Sequence, residues 1–72
     1  MNNSNVAKIQ LNGNPYEISG RTDLNELLNK LKIEKNKVAI EVNGEIVQKG
    51  KYQNLILRKD DKVEIVHFIG GG

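Results

Sequence analysis

Cysteine is absent from this chain, which rules out disulfides, a thiolate nucleophile and a thiolate metal site. Tryptophan is absent too, and Tyr16, Tyr52 and Phe68 are the only aromatic residues, too few for a platform on which nucleic-acid bases could stack. His67 is the single histidine and Pro15 the single proline. No apolar run approaches the roughly 20 residues of a membrane span. The start, Met1-Asn2-Asn3-Ser4-Asn5, has neither the basic nor the apolar region of a signal peptide, so a cytoplasmic location is expected, with no membrane partner. Neither charge dominates: 11 basic residues stand against 9 acidic ones, and the lysines are spread along the chain rather than gathered into a nucleic-acid groove. The densest basic stretch, Lys30, Lys32, Lys35 and Lys37, falls at and just beyond a predicted helix C-terminus, where cations complement the helix dipole. With 72 residues the chain is one small domain with little room for an elaborate catalytic cleft, since chains of this size bury only about 60% of their unfolded surface.

What is present is periodic. Ala7, Ile9 and Leu11 alternate with Lys8 and Gln10 as in a half-buried strand. Asn12-Gly13 then supplies the positive φ angles of a two-residue hairpin turn, and Tyr16-Glu17-Ile18 forms the return strand, with Pro15 expected at its first residue or on its open edge. Thr22 or Asp23 can cap a helix, Asp23 having Glu26 three positions on as a capping-box partner. Leu24, Leu27, Leu28 and Leu31 follow at helical spacing, predicting one amphipathic helix of about ten residues whose apolar stripe packs on a sheet.

Val38, Ile40 and Val42 read as the inner face of a third strand, Asn43-Gly44 as a second turn and Glu45-Ile46-Val47 as a short fourth strand. Gln48 to Asn54 reads as polar connection, Leu55 and Leu57 as core plugs, and Arg58-Lys59-Asp60-Asp61 as a charged turn. In the last strand Val63 and Ile65 face the helix, while Val66 and Phe68 face the other way. The order β-β-α-β-β-β predicts an α+β layer arrangement with one face of the sheet left open. Pairing of the last strand beside the first would have to be parallel.

Gly70-Gly71-Gly72 follows that strand directly. Three residues without side chains make a flexible tail that can enter a narrow cleft and bring a terminal carboxylate to another protein's active site. A frayed end is the alternative. The expected organisation is therefore a single domain over residues 1–69 and a glycine tail over 70–72.

These residues resemble the β-grasp sulfur carriers, and among them the carriers of thiamin biosynthesis. The resemblance covers nearly the whole chain and rests on Asn12-Gly13, the Leu24-Asn25-Glu26-Leu27-Leu28 helix start, Val38 through Val47, and Asp61 through Gly72. It implies a β-grasp, ubiquitin-like fold, a mixed four- to five-stranded sheet with one main helix on one face. It also implies that the chain is no enzyme but a co-substrate of enzymes: the Gly72 carboxylate is adenylated by an E1-like adenylyltransferase resembling ThiF, then converted to a thiocarboxylate. ATP would be used by that partner, with no cofactor bound by this chain. A persulfide donor such as a cysteine desulfurase would supply the sulfur, and a thiazole synthase resembling ThiG would accept it. Sulfur would thus ride on the main chain of a protein without cysteine. Gly70 and Gly71 would give the tail clearance, and Val66, Phe68 and Ile69 are the expected docking contacts.

The family often shows Asp-Gly-Asp before the final strand, whereas Lys59-Asp60-Asp61 has no glycine; aspartate visits left-handed turn conformations better than most residues. His67 reads as a rim residue, since no carboxylate or hydroxyl partner stands at a recognisable spacing. Asp60, Asp61 and Glu64 lack the companions of a metal site and read as solvated charges. A molybdopterin synthase small subunit would keep the same tail chemistry in another pathway, but such subunits tend to be longer, with a proline approaching the tail. A ubiquitin-like modifier and a plain binding module are the remaining alternatives.

Overall fold

A computed structural model describes residues 6–69, so Gly70, Gly71 and Gly72 lie outside the described residues. β1 (Val6–Leu11) and β2 (Asn14–Ser19) form the expected hairpin, with Leu11 opposite Asn14 across the turn. Asn12 and Gly13 have φ of 49° and 83°, the left-handed pair that a two-residue turn needs in order to match strand twist. Pro15 is accommodated because β2 is an edge strand.

α1 (Leu24–Leu31) begins at Asp23 with a complete capping box: the Asp23 carboxylate accepts from the Glu26 N–H at 2.8 Å, and the Asp23 N–H donates to Glu26 Oε1 at 3.0 Å. At 8 residues the helix spans the leucine stripe and ends with it, a little short of the length expected. Lys32 turns left-handed at φ 59°, and the Ile33 N–H donates back to the Leu28 carbonyl at 3.0 Å, closing the helix without a glycine stop signal. Leu24, Leu27 and Leu28 are buried beneath it.

β3 (Val38–Val42) and β4 (Glu45–Val47) are joined by Asn43-Gly44, again both at positive φ. β5 (Lys62–His67) closes a sheet of order β2-β1-β5-β3-β4. It runs parallel to β1 and antiparallel to β3, so the sheet is mixed and five-stranded. Ile9, Ile18, Val38, Ile40, Val63 and Ile65 line its inner face against the helix. In the turn before β5, Asp60 takes φ 69°, aspartate standing in for the glycine that the resemblance leads one to expect.

The polar connection from Gln48 to Asn54 is corrected by the structure. Lys49–Asn54 is a 3₁₀ helix, and Tyr52 within it is fully buried in the core. Asp61 is also more than a solvated charge, because its carboxylate accepts from the Arg58 N–H at 2.8 Å and from Asn43 Nδ2 at 3.0 Å.

Candidate functional site

The C-terminal end of β5 is built by alternation. Val63 and Ile65 are buried in the core, while Glu64 between them and Val66 through Ile69 beyond them are exposed. Val66 sits beside Ala39 of β3 on the open face and is 57% exposed. Phe68, on the same side, is 55% exposed, and Ile69 is 98% exposed. The sequence-predicted docking trio is thus brought together at one end of one strand. Scattered exposed apolar residues are ordinary, but three among four consecutive positions at a strand terminus form a patch.

Two interactions hold that end. The Phe68 N–H donates to the Lys37 carbonyl at 2.9 Å, one residue past the strand, so the backbone stays tied to the start of β3 up to the aromatic ring. Lys49 lies over the ring with Nζ 5.5 Å from its centroid and donates to the Val38 carbonyl at 3.3 Å. A cation over an aromatic face contributes on the order of 0.5–1 kcal/mol at an exposed site. Lys49 was not singled out by sequence because its partner lies 19 positions along the chain and no local spacing records it.

On the β1 side, Asn12 adds a further tie. Its Oδ1 accepts from the Ile65 N–H at 2.8 Å, and its Nδ2 reaches the Ile65 carbonyl at 3.4 Å. In the sequence alone Asn12 reads only as a turn former. His67, opposite Val38, is exposed. Lys35 and Lys37, which flank the same end, are exposed as well, and Lys37 makes only a long 3.9 Å ion pair with Glu34. An exposed pair of that kind contributes little.

An open groove of about 780 Å³, bordered by Val42, Asn43, Lys51, Arg58 and Asp61, lies toward the other end of β5, where Val42 pairs with Val63. Among the described residues no group of His, Asp and Glu is arranged to hold a metal ion, and no helix is long and apolar enough to cross a membrane.

The model of the ThiS family matches residues 9–72. The sulfur carrier protein ThiS of Bacillus subtilis is 38% identical over 65 residues, covering 89% of this chain and 98% of that protein. The thiazole synthase of Magnetococcus marinus is 46% identical over 65 residues, covering 90% of this chain but 20% of its own length. The chain therefore spans about a fifth of the thiazole synthases that it matches. Among solved structures, the thiamine biosynthesis protein ThiS of Geobacter metallireducens superposes with a TM-score of 0.77 at 31% identity, over 90% of this chain and 99% of that one.

Proposed function

The chain belongs to the ThiS family, the non-catalytic sulfur carriers of thiamine biosynthesis, and from that footing we propose that it carries sulfur on the main-chain carboxylate of Gly72. An E1-like, ThiF-like adenylyltransferase activates that carboxylate. One carboxylate oxygen attacks the α-phosphorus of ATP, pyrophosphate leaves, and the resulting acyl-AMP has the leaving group that a free carboxylate lacks. A persulfide sulfur from a donor such as a cysteine desulfurase then displaces AMP, and thiol cleavage of the acyl disulfide leaves the thiocarboxylate. A ThiG-like thiazole synthase is the acceptor. Support for that partner comes from the thiazole synthases of Magnetococcus marinus and Paramagnetospirillum magneticum, each of which contains a stretch similar to this chain.

In this reading residues 1–69 serve as the handle and residues 70–72 as the arm. Gly70 and Gly71 keep the arm free of Cβ atoms that would collide with a tunnel wall. Val66, Phe68 and Ile69 dock on the partner. The observation that carries this reading is the pairing of a family match reaching Gly72 with an exposed apolar patch immediately before Gly70. A cytoplasmic setting, where ATP and the persulfide donor are available, goes with it.

The test is intact mass after incubation with ATP, a ThiF-like enzyme and a sulfide source, beside a variant lacking Gly72. A gain matching exchange of one oxygen for sulfur, lost in the shortened variant, is the expected result. Neither that gain nor an AMP adduct, with a partner active on another carrier, would overturn the proposal. Conjugates on target lysines would point instead to a modifier.

A further inference from the structure

Two Asn-Gly turns close the two hairpins, and both asparagines reach across to β5. Asn43 grips the start of the strand: its Oδ1 accepts from the Lys62 N–H at 2.9 Å and its Nδ2 donates to Asp61. Asn12 grips the far half. The parallel ladder between β1 and β5 runs through the Gln10 N–H to the Asp61 carbonyl and the Asn12 N–H to the Val63 carbonyl, both at 2.9 Å, and there β1 turns away. A carboxamide has the same donor and acceptor as a peptide group. By binding both the N–H and the C=O of Ile65, the Asn12 side chain supplies the next rung that β1 itself no longer provides.

We propose that Asn12 is a positioning residue for the tail: by locking Ile65 it fixes the line along which the chain leaves the sheet through Val66, Phe68 and Ile69. This rests on the proposed carrier function, because a direction matters only if the arm must reach a target. Ile65 is the last inward-facing buried residue of β5, and beyond it, among the described residues, the backbone of Phe68 is tied on the β3 side alone. Without Asn12, the final stretch would be held from one side and would pivot about the Lys37 carbonyl. The reacting carboxylate would then sample more directions before entering a partner's site, which lowers the productive fraction.

Asn43 provides a matched control. Asn12→Gly and Asn43→Gly each turn Asn-Gly into Gly-Gly, which keeps the left-handed turn and deletes one side-chain clamp. The two variants are compared at a temperature where both are folded, by kcat/KM for adenylation with a ThiF-like enzyme and by hydrogen exchange of the Phe68 amide. Asn12→Gly is expected to lose about tenfold in kcat/KM, the scale of two modest hydrogen bonds, and to speed Phe68 exchange by several-fold; Asn43→Gly should do neither. Asn12→Asp, which keeps the acceptor and loses the donor, should fall between wild type and Asn12→Gly. Equal behaviour of the two glycine variants in both readouts would overturn the positioning role. If the wild type itself is not adenylated, the carrier function fails, and unequal Phe68 exchange still shows the clamp while equal exchange removes it.

Discussion

The two faces of the sheet draw on the same kinds of residue and put them to opposite uses. On the inner face Val38, Ile40, Val63 and Ile65 are sealed against the helix, while on the outer face Val66, Phe68 and Ile46 remain in water. Within β5 a step of one residue separates Ile65 at 7% exposure from Val66 at 57%. Hydrophobicity therefore does not by itself say what an apolar residue is for; strand parity does. Inner residues hold the fold, and outer ones are available to meet another molecule. Elsewhere the outer face carries charge at Lys8, Glu17, Glu41 and Glu64, interrupted by exposed Val6 on β1 and Ile46 on β4.

The sharpest way to break this contrast is to truncate one residue on each side. Leu27 is fully buried, and Leu27→Ala removes its contacts and leaves a cavity. A loss of about 2–5 kcal/mol in unfolding free energy is expected in urea titration, enough to unfold a marginal domain of this size. Phe68→Ala should do the reverse. Stability should change by at most about 0.5–1 kcal/mol, the share of the Lys49 contact, while affinity for a ThiF-like partner falls about tenfold or more. Calorimetry of folding and of binding on the same protein reads both quantities. Unchanged affinity would move Phe68 out of the docking surface.

Lys49 sharpens the comparison from the outer side. Lys49→Gln keeps much of the aliphatic stem but removes the cation over Phe68. Stability should shift by at most about 0.5–1 kcal/mol, and the salt dependence of partner association should weaken as well if this charge meets an acidic surface. Stopped-flow association rates at two ionic strengths would show it.

Most of this arrangement was readable before any coordinates, and the parts that were not share a cause. The hairpins, the leucine stripe and the parity of β5 are local signals: Asn-Gly at a turn, leucines at three- and four-residue spacing, alternation of polar and apolar residues from Lys62 to Ile65. The Asn12 clamp joins positions 53 apart, and nothing near Asn12 announces Ile65. Lys49 over Phe68 is equally non-local. Tyr52 was hidden differently. Its neighbours Lys49, Gly50, Lys51, Gln53 and Asn54 give no apolar period, so a short 3₁₀ turn that drives one ring into the core looks like polar loop. Of the candidate site, Val66 and Phe68 are legible because the strand's period carries them to the outer face; Ile69 lies beyond the strand, and how the backbone is held is not legible.

Tyr52 is also where the inner face departs from its own rule, since its hydroxyl is buried with no hydrogen-bond partner among the described residues. A stranded hydroxyl costs about 1–3 kcal/mol of desolvation, so Tyr52→Phe, which keeps the ring, should be neutral or stabilising by about 1 kcal/mol near neutral pH. The alkaline limb gives the finer test. Desolvation by burial raises the Tyr52 pKa above its ordinary 10.0, because the phenolate is the form that burial penalises. In the unfolded chain the hydroxyl would ionise near 10.0, while in the folded chain it stays protonated to higher pH. Above that pH the unfolded state binds fewer protons than the folded one, so stability falls as pH rises from about 10 toward the folded pKa. This alkaline loss is absent below pH 10, and Tyr52→Phe removes it altogether. Urea midpoints of wild type and variant between pH 8 and pH 11 should therefore run parallel at first and diverge above about 10, the variant losing less. Curves that stay parallel throughout would mean that the hydroxyl is solvated after all, and that the inner face tolerates a polar atom only because water reaches it.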